Sequence, residues 1–439
     1  MEQNTVTKLV LIAKKAKMDK SAKFSRLMYL FHEDYLYECF TLLQKGKAAG
    51  IDGRTLESYT EREIKQSITD MVDKLKRRKY QPQPVRRVYI KKDTGKLRPL
   101  GIPTVVDKIL QLGMTRILIS IYEQDFLSSS YGYRVGKDAH ACLKEINHMI
   151  MGKKVNYILD ADIEGFFDNL NHRWLMKCVS ERISDPHFKR LIWKLLKAGV
   201  MEGGKFLPTK TGSSQGGIIS PVLANIYLHY CLDLYFEKRI KPEMRGYTQL
   251  LRYADDFLIG VQHKPEALQI MGSLDKRLKK FGLTLSKEKT AIKEFGRFVL
   301  ENRAKRGERK PETFDFLGFT HYCSKTRDGR FQLRIKTSKK RLNKAVTAIG
   351  TFLKSNRTKQ MKDLWDTLSL KLTGHYNYYG VSGNFAEIKR FHAATLALIF
   401  KWLNRRGGKK SFNREEFRVY LTHHVLPEPK LTYAIYNTW

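Results

Sequence analysis

Asp255 and Asp256 are adjacent carboxylates set between two apolar runs, Leu250-Leu251-Arg252-Tyr253 before them and Phe257-Leu258-Ile259 after. Neighbouring acids at a turn ordinarily serve local hydrogen bonding. Between apolar strands they need a compensating charge, and a divalent cation is the natural one. Hard ions such as Mg2+ prefer carboxylate oxygen. A third acid, Asp162, lies near the end of a separate alternating stretch, residues 155–163. Two metal ions about 3.5–4 Å apart, held by carboxylates on rigid elements, drive displacement at phosphorus. These residue types therefore point to phosphoryl transfer.

The elements that must position them are legible from pattern. Residues 155–163 predict a strand ending in acidic residues, and residues 250–261 predict strand, turn, strand with Asp255 and Asp256 at the bend. A helix is expected from Ser220, with Ser220 as N-cap and Pro221 in the first turn. Its apolar positions Leu223, Ile226, Tyr227, Tyr230 and Leu234 follow helical spacing. Upstream, residues 24–80 read as helical with turn punctuation at Ala49 to Gly53. Residues 85–90 lead into a hairpin around Asp93-Thr94-Gly95, whose tip collects Lys91, Lys92, Lys96 and Arg98. Residues 314–322 form another β-type stretch, and residues 301–311 an exposed connection. Helices are expected over 338–355 and 359–378, with a third opened by a capping box of Asn384 and Glu387. The architecture is a three-helix appendage on an α+β body.

Composition narrows the partner. The 439 residues carry 82 Lys and Arg against 44 Asp and Glu, a net charge of +38. Residues 301–439 hold 29 basic and 11 acidic residues, net +18. A bias sustained over a whole domain is best explained by polyphosphate contact. Five scattered cysteines without a CxxC pair argue against a disulfide framework or zinc site. No apolar run reaches a membrane span and no signal-peptide pattern opens the chain, so a soluble cytoplasmic protein without membrane partners is expected.

Tyr253-Ala254-Asp255-Asp256 resembles the YxDD motif of reverse transcriptases, and other blocks of that family follow in its order. Lys45 to Gly53, Arg98-Pro99-Leu100-Gly101-Ile102-Pro103, Ser130-Tyr131-Gly132-Tyr133-Arg134, and Asp162-Ile163-Glu164-Gly165-Phe166-Phe167-Asp168 are similar to successive blocks. Gln215-Gly216-Gly217-Ile218-Ile219-Ser220-Pro221, Gly282 to Ser286 with Lys289-Thr290, and Phe316-Leu317-Gly318-Phe319 complete the series. Leu372 to Tyr379 resembles the thumb block of group II intron reverse transcriptases, with His375 in place of the usual aromatic. Its Tyr residues suit either core packing or base stacking.

This resemblance implies an α+β right-hand polymerase, with fingers and an antiparallel palm sheet over residues 1–322. An α-helical thumb, the maturase domain, would span residues 323–439. It implies an RNA-directed DNA polymerase of the compact group IIC-like form without an endonuclease domain, working on an RNA template, a DNA primer and dNTPs, and assisting splicing and mobility of a group II intron RNA. Asp162, Asp255, Asp256 and the carbonyl of Ile163 would hold two Mg2+ ions, with Mn2+ as a substitute; Asp160 and Asp168 fall outside the metal set. Lys91 or Lys92 and Arg98 would hold the triphosphate, Phe167 would exclude a 2′-hydroxyl, and Gln215 and Gly216 would flank the nucleotide. Tyr253, Ala254, Arg405, Arg406, Lys409 and Lys410 would contact nucleic acid. Two other roles fit the same residues: an RNA-binding splicing cofactor, and a domesticated reverse transcriptase in DNA repair or host defence. Flanking DNA separates the mobile-element role from the domesticated one.

Overall fold

The computed structural model describes residues 5–91, 95, 97–213, 215–308, 310–406 and 411–436. Lys92, Lys96, Lys409 and Lys410 lie outside the described residues, as does the side chain of Lys91. The described strands are β1 (Val85–Lys91), β2 (Leu97–Ile102), β3 (Tyr157–Asp162), β4 (Val200–Glu202), β5 (Lys205–Leu207), β6 (Thr248–Tyr253), β7 (Asp256–Val261), β8 (Ala291–Glu294), β9 (Phe314–Phe316), β10 (Phe319–Lys325) and β11 (Phe331–Thr337). They form three sheets, in the orders β2-β1-β4-β5, β6-β7-β3-β8 and β11-β10-β9. β1 and β2 pair antiparallel with Arg86 opposite Ile102 and Lys91 opposite Leu97, as the turn chemistry predicts. The fold is α+β, with antiparallel ladders except between β1 and β4, which pair parallel.

Two compact units emerge. The first comprises the described residues up to Asp138 with Leu159–Ile259 and Lys264–Ile292. Its core is built on the helix Val105–Tyr122, where Ile109, Leu110, Met114, Ile117, Leu118 and Ile121 are all shielded from water. Thr104 caps that helix by accepting from the Asp107 amide. The helix Ser220–Leu228 is buried at nearly every position, which is why its sequence is apolar all round. It runs on through two π-helical segments, His229–Asp233 and Phe236–Ile240. The expectation for Ser220 fails in detail. Ile219 is the N-cap, Ser220 already lies in the first turn, and its hydroxyl accepts from Ser213 Oγ instead of capping.

The second unit comprises Ala139–Ile158, Gly260–His263 and the described residues from Lys293 onward. Its helices include Lys339–Ser355, Met361–Tyr379 and Phe385–Leu403, which share a core through Leu342, Ile349, Leu368, Leu372, Phe391 and Ile399. A fourth helix, Arg414–His423, joins that core through Phe417. The three-helix expectation missed it, although Asn413 and Glu416 form a complete capping box at its start.

The box expected at Asn384 does not form. The buried Asn384 side chain accepts from the Thr337 amide at 2.7 Å and donates to Thr337 Oγ1 and the Tyr379 carbonyl, each at 2.8 Å. It ties the end of β11 to the preceding helix, a tertiary demand that local spacing does not encode. Part of the expected connection at 301–311 is likewise helical, within Val299–Lys305. The helix Thr5–Met18 was not foreseen at all. Strand β10 passes without interruption through residues 322 and 323.

Candidate active site

Asp162 ends β3 in the first unit. The segment that follows the helix Lys264–Lys280 returns alongside it: Glu164 N–H donates to the Thr284 carbonyl at 2.9 Å, and Ser286 N–H to the Asp162 carbonyl at 2.8 Å. These bonds flank an antiparallel bridge between Ile163 and Leu285. In such a bridge the central residue's own N–H and C=O point to the opposite edge of the strand, so the Ile163 carbonyl is free to face another partner there. The returning segment also brings Lys289 to Asp162, with Nζ 2.5 Å from Oδ2.

The second carboxylate source is the β6–β7 hairpin. Ala254 at its bend has a left-handed backbone, φ 57°, which a side chain with Cβ adopts at a cost. It fits there because Gly132 packs against it so closely that a Cβ on Gly132 would lie 2.4 Å from the Ala254 nitrogen. Arg252 behind the bend is fully buried and opposite a fully buried Asp233. Its Nε and Nη2 donate to the two Asp233 oxygens at 2.7 and 2.6 Å, and Nη2 also donates to Ser130 Oγ at 2.7 Å. Nη1 donates to Asn225 Oδ1 at 3.0 Å and to the Ala254 carbonyl at 2.9 Å.

Electrostatics show that the three carboxylates share one environment. Asp256 shares a hydrogen bond with Asp162, and its pKa is pushed up to about 8, first by desolvation, then by that bond and by the charges of Asp255 and Asp162. One side of Asp256 still opens to solvent. Asp255 is raised too, chiefly by burial, with Asp162 adding and Arg98 and Lys289 opposing. Partial burial alone would lower Lys289, but Asp162, Asp256 and Asp255 together hold its ammonium above the usual range. Among the described residues no three such side chains already surround a common point. Asp162 is turned to Lys289, and Asp256 to Asp162. The donor chemistry nevertheless fits divalent cations: hard oxygen atoms whose repulsion is relieved here by a proton and an ammonium, both of which a metal can displace.

Comparison with known proteins matches residues 90–321 to the family described as reverse transcriptase (RNA-dependent DNA polymerase). The chain belongs to the reverse transcriptase family. It is 34% identical over 310 residues to the group II intron-encoded protein LtrA of Lactococcus lactis subsp. cremoris, covering 67% of this chain and 51% of LtrA. It is 32% identical over 337 residues to the protein YkfC of Escherichia coli (strain K12), covering 67% of this chain and 87% of YkfC. A putative COX1/OXI3 intron 1 protein of Saccharomyces cerevisiae (strain ATCC 204508 / S288c) is 30% identical over 261 residues, covering 49% of this chain and 31% of that protein. The chain thus spans about half the length of LtrA.

In this member of the reverse transcriptase family the remaining candidates divide. Arg98, exposed on β2, is close enough to Asp255 to lower its pKa. The Gln215 carbonyl accepts from the Gly101 amide at 2.7 Å, and a Cβ on Gly216 would lie 2.8 Å from the Gly101 oxygen. The Arg98–Pro103 and Gln215–Pro221 blocks therefore meet through their backbones. Phe167 is half-buried in the short helix Phe166–Asn169, its ring edge-on to Phe166 at 5.2 Å, while Asp168 is exposed. In the second unit Arg405 is exposed beside Trp402, whereas Arg406 donates to the Lys359 carbonyl at 2.7 Å and packs against the Met361 sulfur. His375 behaves as a neutral aromatic, stacked on Phe391 with ring centres 3.7 Å apart and its pKa lowered by burial to about 4. Tyr376 is buried and Tyr378 donates to the Leu317 carbonyl at 2.9 Å, so both serve packing.

Sequence reasoning missed three residues of this site. Lys289 was noted only as part of a block. Tyr133 is one of the few non-glycine residues with a left-handed backbone, φ 57°, and its hydroxyl pKa is raised by burial and then by Asp255, with Arg98 opposing. Arg252 is the one charge inside an apolar strand, and that placement is the signal that would have called for a buried partner.

Proposed function

We propose that this chain is an RNA-directed DNA polymerase that extends a DNA primer on an RNA template with dNTPs, and that it assists splicing and mobility of a group II intron RNA. The observation that carries the reading is the shared electrostatic environment of Asp162, Asp255 and Asp256, drawn from two neighbouring strands and an intervening turn. Two Mg2+ ions, for which Mn2+ can substitute, would be held by these side chains with the Ile163 carbonyl. When bound they supply activation of the primer hydroxyl and neutralisation of the departing pyrophosphate.

The chain's own residues do the rest. Arg98, with Lys91 or Lys92, grips the triphosphate, Arg through a bidentate fork and Lys as a point charge. Phe167 presents a ring where a 2′-hydroxyl would fall, selecting deoxynucleotides. Gln215 and Gly216 border the nucleotide, and the contact of their loop with Gly101 supports that placement. Tyr253 and Ala254 approach the primer end, and Arg405, Lys409 and Lys410 contact nucleic acid phosphate, whereas Arg406, engaged with the Lys359 carbonyl, would have to leave it to join them. In this reading residues 1–322 are fingers and palm and residues 323–439 the helical thumb of a right-hand polymerase, joined within β10.

Asp255→Asn and Asp162→Ala are expected to abolish cDNA synthesis with Mg2+ and dNTPs while leaving RNA binding near wild type. Synthesis retained by either variant removes the site assignment. A second reading, an RNA-binding splicing cofactor, is favoured by the +18 balance of residues 301–439 and by intron-encoded relatives. Intron splicing at low Mg2+ by the Asp255→Asn protein would support it; absence of intron binding would exclude it.

A further inference from the structure

We propose that Arg252 is a positioning residue, which holds the turn carrying Asp255 in its left-handed form through a buried clamp made with Asp233, Asn225 and Ser130. The inference rests on the active-site reading above, since it assigns Arg252 the task of aiming one of that site's carboxylates.

Every N–H of the guanidinium is used. Two bind the Asp233 carboxylate, one Ser130, one Asn225, and the last the Ala254 carbonyl. A buried ion pair is a poor way to fill a core, because apolar residues of similar volume avoid the desolvation cost. What an apolar pair could not supply is a donor aimed at the Ala254 carbonyl. That carbonyl belongs to the residue immediately before Asp255, in the backbone conformation least willing to persist unaided.

The opposite wall of the turn is tied to the same network. Asn225 accepts from Arg252 through Oδ1 and donates through Nδ2 to the Gly132 carbonyl at 2.8 Å. Gly132 is the residue packed against the Ala254 backbone. Main-chain bonds complete the enclosure: Arg252 N–H donates to the Ser129 carbonyl, and Tyr131 N–H to the Arg252 carbonyl, both at 2.8 Å. Ala254 is therefore held between the guanidinium and Gly132, with Asn225 fixing the separation of the two walls. Asp255 leaves this enclosure in a direction set by it.

A lysine would keep the charge opposite Asp233, but its single nitrogen cannot serve four partners in the plane of a guanidinium. Arg252→Lys should fold, with amide hydrogen exchange faster across Tyr253, Ala254, Asp255 and Asp256 and unchanged elsewhere. Its kcat for primer extension should fall about a hundredfold, the scale of a misplacement near 1 Å, with KM for dNTP unchanged. A folded Arg252→Lys protein with wild-type exchange at the turn and wild-type kcat overturns the proposal. The paired variant Arg252→Met with Asp233→Leu removes the clamp without stranding a charge. Its folding with wild-type kcat also overturns the proposal, and low kcat in a folded paired variant supports it. Failure of both proteins to fold overturns it too, because the network would then serve the core and not the turn. Asp255→Asn in the same assay separates the two levels. If that variant synthesises cDNA, the active-site reading falls; if it is inactive while the Arg252 variants are normal, only the clamp falls.

Discussion

Phe167 follows Phe166 on a four-residue helix that opens at Gly165, and its half-buried ring is held edge-on by its neighbour. A ring so supported can exclude a hydroxyl by volume. Phe167→Ala should raise the ratio of rNTP to dNTP incorporation about ten- to a hundredfold, the range a pocket achieves against an added hydroxyl. Competitive primer extension with matched nucleotide pairs measures it, and an unchanged ratio would assign Phe167 to packing alone. Asp256 makes a different prediction. Its raised pKa means that the folded chain binds a proton that the unfolded chain has already released, so stability without metal falls as pH rises from the ordinary carboxylate range towards about 8. Added Mg2+ should relieve that loss, raising the melting temperature more at pH 8 than at pH 6, and Asp256→Asn should shrink the difference to the part due to Asp255. The acids themselves were legible, because carboxylates between apolar strands demand a charge. Lys289 was not, since its meeting with Asp162 depends on how residues 284–286 return along β3.

At the scale of elements, sequence reading succeeded where the signal is local and failed where it is tertiary. The β1–β2 and β6–β7 hairpins follow from alternation and turn residues, and both appear. Asn384 and Glu387 have the spacing of a capping box, yet β11 competes for the Asn384 side chain and wins. The sequence contains that competition only as a contact between distant positions. Asn384→Ala would strand the Thr337 amide, while the Tyr379 carbonyl keeps the Val381 amide as its donor, at a cost of roughly 1–3 kcal/mol. Chemical denaturation monitored in the second unit tests this, and a change below about 1 kcal/mol, the scale of one ordinary hydrogen bond, would mean water replaces the amide. The pattern at Asn413 and Glu416 was equally readable and does form a box.

For the whole molecule the governing quantity is charge. A net charge of +38 is unfavourable for the isolated chain and favourable against a polyphosphate. If RNA covers roughly six to ten phosphates on this surface, the slope of log affinity against log salt should be about −4 to −9. Filter binding or anisotropy across a salt series gives the slope, and a value near zero would point to an uncharged mode of contact. Charge composition points to a polyphosphate partner without saying which cations would meet it. Arg405 and Arg406 are neighbours of the same type, yet Arg406 is committed to the Lys359 carbonyl while Arg405 stays exposed. Among the described residues no helix is long and apolar enough to cross a membrane.

The widened turns at His229–Asp233 and Phe236–Ile240 bear on how this chain can change over evolutionary time. Each residue of an α-helix advances the face by about 100°, so inserting one residue between Asn225 and Asp233 without a further widened turn would swing the carboxylate away from Arg252. Substitutions across this stretch can be absorbed one at a time by repacking. An insertion cannot, because it would rotate the partner of the buried arginine behind the Asp255 turn. Insertions, more than replacements, are what this part of the protein must resist.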